Sequence, residues 1–334
     1  MTPPTSAAIL GAGSLGTSLA RLLARALDHV LLVSIDGPCV AGINQNHRNP
    51  KYLSDIELPA NVTATLDHAD ALAHPLIIFA VPTSGIRSEA GKLKNLGLAA
   101  DRALLTCAKG IERNTGERMS EILAEIFPDN PIAVLTGPNH AEEIARDLVT
   151  CAVIASTNPA LAITLQQVFN QPRFRVYTSE DVAGAELGGA VKNVYAIAAG
   201  MAHGLGLGDN AVAALVTRAL AEMTRLGIAM GGKRETFSGL SGVGDLVVTC
   251  FSEHSRNHRV GYALGIGKTL DEAVSSLGMV AEGVPNTLSI HQAAHAAGIR
   301  APILDAVYSV LYQGKPAADA MRELLARDPR PEDS

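Results

Sequence analysis

The chain contains no tryptophan, and aromatic residues fill only 4% of its 334 positions. Stacking platforms for nucleobases are therefore not expected. The formal net charge of −6 gives no footprint for nucleic acid or for an anionic membrane surface. No apolar run reaches the length of a bilayer span, so membrane insertion is not expected. The start, MTPPTSAAILGAG, lacks the basic and apolar stretches of a secretory leader. Four cysteines, Cys39, Cys107, Cys151 and Cys250, are widely scattered and form no CxxC pair. They read as buried free thiols of a reducing cytoplasm. The histidines are dispersed as well, and no metal site is expected. Repeats and low-complexity tracts are absent.

What is present is a globular composition, 47% hydrophobic and 18% charged, long enough for two domains with their own cores. The first half alternates short apolar runs with helical patterns. Strands are expected at Ala7–Leu10, His29–Ser34, Val62–Thr65, Leu76–Val81, Ala103–Thr106, Ile132–Thr136, Cys151–Ala155 and Phe174–Tyr177. This alternation predicts a doubly wound α/β sheet. After Thr178 helical periodicity takes over. The boundary is placed near Ser179–Val182, giving a Rossmann-type domain over 1–180 and an all-helical domain over 181–334.

Between the first strand and the first helix lies GAGSLG. Gly11, Gly13 and Gly16 fit the GxGxxG fingerprint of dinucleotide binding in the required context. Gly11 permits the tight turn, Gly13 lets a pyrophosphate approach the backbone, and Gly16 allows close helix–strand packing. Orphan amides at the helix start would meet the phosphates. Asp36, at the end of the second strand, is placed to take the ribose hydroxyls of NAD. It could equally be a turn or cap residue. No basic residue adjoins it, which leans the cofactor choice between NAD and NADP toward NAD, although His47 and Arg48 lie within reach of an adenosine phosphate. Pro82-Thr83-Ser84 and Lys109 follow strand carboxyl ends, where open parallel sheets bind ligands. Asn139 reads as a helix N-cap followed by acidic residues in the first turn.

In the second half, LGGAVKNVYAIAAG holds one charged residue, Lys192, on a face of Gly188, Gly189, Ala196, Ala199 and Gly200. Desolvation there would pull its pKa below about 10.4 and make it a proton donor and acceptor. The alternative is a snorkelling lysine at a helix contact. Asp245 sits alone in SGLSGVGDLVVT, as a lysine's partner or as a plain cap. Ser255-Arg256-Asn257 can wrap a phosphate, or can start a solvated helix. Gly278–Asn286 reads as a turn carrying Glu282, and Arg327–Ser334 as a polar tail.

Taken together, GAGSLGTSLA, NPKYL, CAKGIE, TGPNHAEEIA, LGGAVKNVYAIAAGM, TRALAEMTRLG, GVGDLVVTC, SRNHRVG and LYQGK resemble, in order, the NAD(P)-dependent sn-glycerol-3-phosphate dehydrogenases of the bacterial type. The resemblance runs from about Ala7 to Gly314. It implies an oxidoreductase that interconverts dihydroxyacetone phosphate and sn-glycerol 3-phosphate for phospholipid synthesis. Lys192 would be the acid/base. Substrate contacts would come from Lys109, Gly137, Asn139, Asp245, Ser255, Arg256 and Asn257. Cofactor contacts would come from Ser14, Leu15, Lys109, Ala141, Arg256, Val280 and Glu282. The partner is then a small phosphorylated substrate. Apart from the resemblance, small apolar helix faces in the second half suggest a homodimer, and the free thiols a cytoplasmic location. Three positions depart from the family's usual pattern. Leu15 stands for an aromatic, Asn139 for a Ser or Thr, and Ile35 for a basic residue that often meets the NADP phosphate. Two rival readings are a β-hydroxyacid dehydrogenase on a similar plan and a non-catalytic NADH sensor. The first has no use for the Ser-Arg-Asn run, and the second has none for Lys192 and Asp245.

Overall fold

A computed structural model describes residues 2–277 and 280–326. The tail Arg327–Ser334 and residues Gly278 and Met279 of the expected turn lie outside the described residues. Eight strands appear where the apolar runs lie: β1 (Ser6–Leu10), β2 (His29–Val33), β3 (Val62–Thr65), β4 (Leu76–Phe79), β5 (Ala103–Thr106), β6 (Ile132–Thr136), β7 (Thr150–Ala155) and β8 (Phe174–Ser179). They form one sheet in the order β3-β2-β1-β4-β5-β6-β7-β8. All four residues of β4 are buried, because helices cover both faces of a parallel sheet. Alternate residues of each strand feed separate cores. Ile9, Leu32, Ile78 and Leu105 pack with Leu19 and Leu23 on one face. Leu10, Leu31, Phe79 and Leu104 pack with Ile86, Leu93 and Ile122 on the other. Each such buried side chain adds roughly 1.5–3 kcal/mol.

The sheet departs from an all-parallel pattern at one pairing, β6 with β7, which is antiparallel. After β6 the chain does not cross to the sheet's other end. It folds back over the strand carboxyl ends through a five-residue helix, Ala141–Ala145, and re-enters as β7. Antiparallel neighbours need no crossover. The consequence is that Asn139–Glu142 sit over the rim where ligands of such sheets bind. Strand order reverses between β1 and its neighbours β2 and β4, which places that crevice at the glycine turn.

The helical part is built around Val182–Gly204. Gly184 to Ala202 is buried without a break, so this helix is covered on every side, with Glu186, Lys192 and Asn193 the polar exceptions among apolar and small residues. Asp181 caps its start by accepting from Gly184 N at 2.9 Å. Helix Arg256–Gly265 lies against it through glycines. A Cβ on Gly200 would overlap the His258 carbonyl, and one on Gly261 would overlap the Ile197 carbonyl. The expected long helix over Asn210–Leu226 is Asp209–Ala229. The turn expected up to Asn286 ends earlier, since the helix Gly283–Ala296 has already begun. Among the described residues no helix is long and apolar enough to cross a membrane.

Candidate active site

A cleft of about 950 Å³ runs from the glycine turn to the helical part. Its first wall is Gly11–Leu15. Gly11 has φ +107°, and a side chain there would overlap the Ala80 carbonyl. A Cβ on Gly13 would meet nothing within 4 Å, so the backbone is open to the cleft at that point. Gly13 is the N-cap of helix Ser14–Leu23 and supplies no side chain to it, which leaves the first-turn amides for an anion. Ser14 and Leu15 line the cleft. Gly16 does not: it faces the Gly11 carbonyl and acts through packing.

The second wall is the end of β2. Ile35 is 88% exposed at the cleft. Asp36 caps helix Gly37–Asn46 by accepting from Cys39 N at 3.2 Å, and its other oxygen accepts from Lys51 Nζ at 3.1 Å. Lys51 therefore holds the Asp36 carboxyl below its ordinary range. The cation near Asp36 is thus Lys51, which sequence spacing did not single out. His47 and Arg48 do not line the cleft. Arg48 instead donates to the Asp55 carbonyl and to Glu57.

Lys192 lies at the floor, only 4% exposed. Its Nζ donates to Asp245 Oδ1 and, at 2.7 Å, to Thr249 Oγ1. Asp245 and Thr249 sit four residues apart on helix Asp245–Phe251, so both face the amine. Asp245 is a first-turn residue rather than a cap, because Gly244 holds that position. Its second oxygen accepts from Lys109 Nζ at 2.8 Å. Lys109 Nζ also donates to Asn139 Oδ1 at 2.6 Å and to the Gly137 carbonyl at 2.9 Å. Burial pulls the Lys192 amine down to about 7, against the opposing pull of Asp245 and with the help of Lys109. Burial would raise the Asp245 carboxyl, but the two lysines outweigh it and hold the group below its ordinary value.

Two expectations change here. Asn139 is not a helix cap; His140 precedes the Ala141–Ala145 helix, and the Asn139 carbonyl oxygen is spent on Lys109. Gly137 does not line the cleft and stands behind Lys109 as an acceptor. Ala141 does line it. His140 and Thr249 were missed, although Thr249 follows Asp245 at helical spacing and His140 follows Asn139 directly. Asn139 Nδ2 and His140 Nε2 are buried with no protein partner. Burial first, then Lys192 and Lys109, pushes the His140 imidazole down to about 4, so it is neutral at pH 7.

The far wall is the start of helix Arg256–Gly265. Ser255, Arg256 and Asn257 all line the cleft. Ser255 caps the helix by accepting from His258 N, which uses a lone pair and not its proton. Asn257 is fixed between Asn193 Oδ1 at 2.9 Å and Gly283 N at 2.8 Å. Arg256 is exposed and tethered by one donor to the Val280 carbonyl at 2.7 Å. Glu282 accepts from Thr83 N at 3.1 Å, joining this wall to the loop after β4, and burial raises its pKa.

Family models match both parts of the chain. Residues 6–162 match the N-terminus of NAD-dependent glycerol-3-phosphate dehydrogenase, and residues 181–322 match its C-terminus. The chain belongs to this dehydrogenase family. Among curated relatives, a glycerol-3-phosphate dehydrogenase [NAD(P)+] of Moorella thermoacetica is 45% identical, covering 96% of each chain. The one of Clostridium perfringens is 43% identical over 98% of each chain. A solved glycerol-3-phosphate dehydrogenase of Coxiella burnetii superposes with a TM-score of 0.93 at 38% identity, over 97% of this chain and 99% of that one. The family's Rossmann-like sheet and helical C-terminal part are the architecture described above.

Proposed function

We propose that this chain reduces dihydroxyacetone phosphate to sn-glycerol 3-phosphate, and the reverse, with NAD(P)H, supplying glycerol 3-phosphate for phospholipid synthesis. The observation that carries the reading is the Lys192 amine. It is desolvated at the cleft floor, fixed by Asp245 and Thr249, and opposite a helix start that carries Arg256. Residues 1–180 form the nucleotide-binding domain and 181–334 the substrate domain in this reading.

The glycine turn fits a dinucleotide: it is open at Gly13, uncapped at the helix start and bordered by Asp36. Bound there, with Ser14, Leu15, Ala141, Val280 and Glu282 as further walls, a nicotinamide cofactor supplies the hydride. The chain's own residues do the rest. Arg256, with the Ser255 hydroxyl, Asn257 and the amides of the Arg256–Gly265 helix start, grips the phosphate and so orients the carbonyl from a non-reacting end. A protonated amine has three N–H groups. Asp245 and Thr249 take two from Lys192, which leaves one for the ketone oxygen as negative charge grows on it. With a pKa of about 7 the amine is available in both forms at neutral pH, so it donates in one direction and accepts in the other. Lys109, held by Gly137, Asn139 and Asp245, adds positive field at the same oxygen. Asn139 Nδ2 and the Nε2 of neutral His140 have no protein partner and belong to residues that line the cleft.

NAD is the preferred cofactor, supported by Asp36 and by Ile35 beside it, with Lys51 the cation through which an adenosine phosphate is tolerated. Lys51→Ala should raise the KM for NADPH several-fold more than that for NADH. The enzyme acts as a cytoplasmic homodimer. The small helix faces that suggested this from sequence are spent internally, at Gly200 against Gly261. The remaining support is the exposed apolar set Val247, Phe251, Tyr262 and Ile266 on the helices around the site. The deciding assay follows NADH and NADPH oxidation with dihydroxyacetone phosphate, in parallel with 2-oxo and 3-hydroxy acids. Turnover on an acid but not on the phosphate ester would reverse the assignment, and cofactor binding with no turnover would favour a sensor.

A further inference from the structure

HQAAH, residues His291 to His295, lies on helix Gly283–Ala296. A spacing of four puts two imidazoles on one helix face, the arrangement many zinc sites use. The neighbouring helix Pro302–Gln313 brings Asp305 up to them. Asp305 Oδ1 lies 3.2 Å from His295 Nε2 and 3.5 Å from His291 Nε2. One ligand atom from each of the three residues lies within 4.8 Å of the others. In a tetrahedral zinc site, bonds of 2.0–2.2 Å set neighbouring ligand atoms about 3.3 Å apart. Two edges of the triangle are therefore already near coordination length. The His291 ring stacks on Tyr308, with centroids 3.7 Å apart and planes 6° apart, which fixes the direction of its nitrogen. None of the three ligands lines the cleft.

We propose that His291, His295 and Asp305 bind a divalent cation of the zinc type, with water in the fourth position, tying the two helices together. Two imidazoles and one carboxylate are a donor set that zinc and its borderline neighbours favour over calcium or magnesium. Dispersion of the histidines along the chain argued against a metal, but the third ligand comes from a separate helix and completes the set only on folding. The Gly283–Ala296 helix begins at the cleft, where Gly283 N donates to Asn257 and Asn286 Nδ2 donates to the Lys109 carbonyl at 2.7 Å. An ion at its other end therefore braces an element that borders the active site, without taking part in the reaction.

The test uses the full chain stripped of metal and titrated with Co(II) and then Zn(II). One equivalent of Co(II) should give the intense visible absorption of a four-coordinate ion. Zn(II) should displace it and raise the Tm by a few degrees. His295→Ala and Asp305→Asn change side chains that are 60% and 48% exposed, so both variants should fold, with unchanged circular dichroism and turnover. Each should bind the ion at least tenfold more weakly and lose the Tm shift. Failure of the wild-type chain to take up a stoichiometric ion would overturn the proposal. So would unchanged affinity in both variants, which would move the ion to another site such as a cysteine thiol.

Discussion

Two buried charge networks in this molecule invite comparison. One is Lys192–Asp245–Lys109 at the cleft floor. The other is Glu186 with Arg118 and Ser120, where helix Val182–Gly204 meets helix Met119–Ile126. Both carry an ionisable group from the same helix, Val182–Gly204, and each of those groups is 4% exposed. In the second network every oxygen is used up. Glu186 Oε1 accepts from Ser120 N at 2.8 Å, and Oε2 accepts from the Ser120 hydroxyl at 2.5 Å and from Arg118 at 2.8 Å. None of these three residues lines the cleft. In the first network one N–H of the protonated amine has no protein acceptor and opens on the cleft. Burial and charge alone do not separate the two groups; an unfilled valence toward a cavity does, and it is what supports Lys192 as the proposed acid.

The sharpest way to break this contrast is Lys192→Met, which keeps volume and removes the amine. Turnover should fall by about 10³–10⁴-fold. NADH binding should persist and the Tm should hold, because Asp245 keeps Lys109 as its partner. Near-normal turnover would eliminate Lys192 as the acid. Glu186→Ala is the matching change in the filled network. It should lower stability by about 1–3 kcal/mol through the unpaired Ser120 N–H and hydroxyl, while Arg118 keeps Glu121, with kcat within twofold of wild type. Chemical denaturation measures this, and a kcat loss without destabilisation would contradict it. Arginines sharpen the comparison in a second way. Arg256→Ala, at the cleft wall, should raise the KM for dihydroxyacetone phosphate roughly 10–100-fold at unchanged Tm. An unmoved KM would place the phosphate elsewhere.

The smallest effect is in pH dependence. The folded Lys192 amine loses its proton near pH 7 instead of above 10. Ketone reduction needs the protonated form and should decline as pH rises through about 7. Alcohol oxidation needs the neutral form and should climb over the same window. Rate profiles in both directions that were flat between pH 6 and 8 would mean the amine does not limit proton transfer.

Much of this was legible in the chain. All eight strands were readable: the six central ones are short, mostly apolar runs buried on both faces, and the edge strands Val62–Thr65 and Phe174–Ser179 alternate in burial. The glycine turn was readable because only glycine tolerates the backbone of Gly11. Lys192 stood out as one charge in a run of small residues, and the order of motifs pointed to the dehydrogenase family. Strand direction was not legible: β7 is a short, mostly apolar run like β6, to which it is antiparallel, and its reversal depends on the path of the Asn139–Val149 connection. The cap assigned to Asn139 failed because capping depends on backbone angles, which its neighbour His140 happens to satisfy.

Local chemistry, then, determined the elements and singled out Lys192 as a candidate, since periodicity, glycine placement and isolated charge are properties of neighbouring residues. Tertiary structure alone decided that Lys109, 28 residues before Gly137, would be held by its carbonyl. It also decided that Lys51 would neutralise Asp36 and that Asp305 would meet two histidines of another helix. Those pairings join residues far apart in sequence. Their geometry exists only after the apolar faces have packed, so no pattern within a short window encodes it.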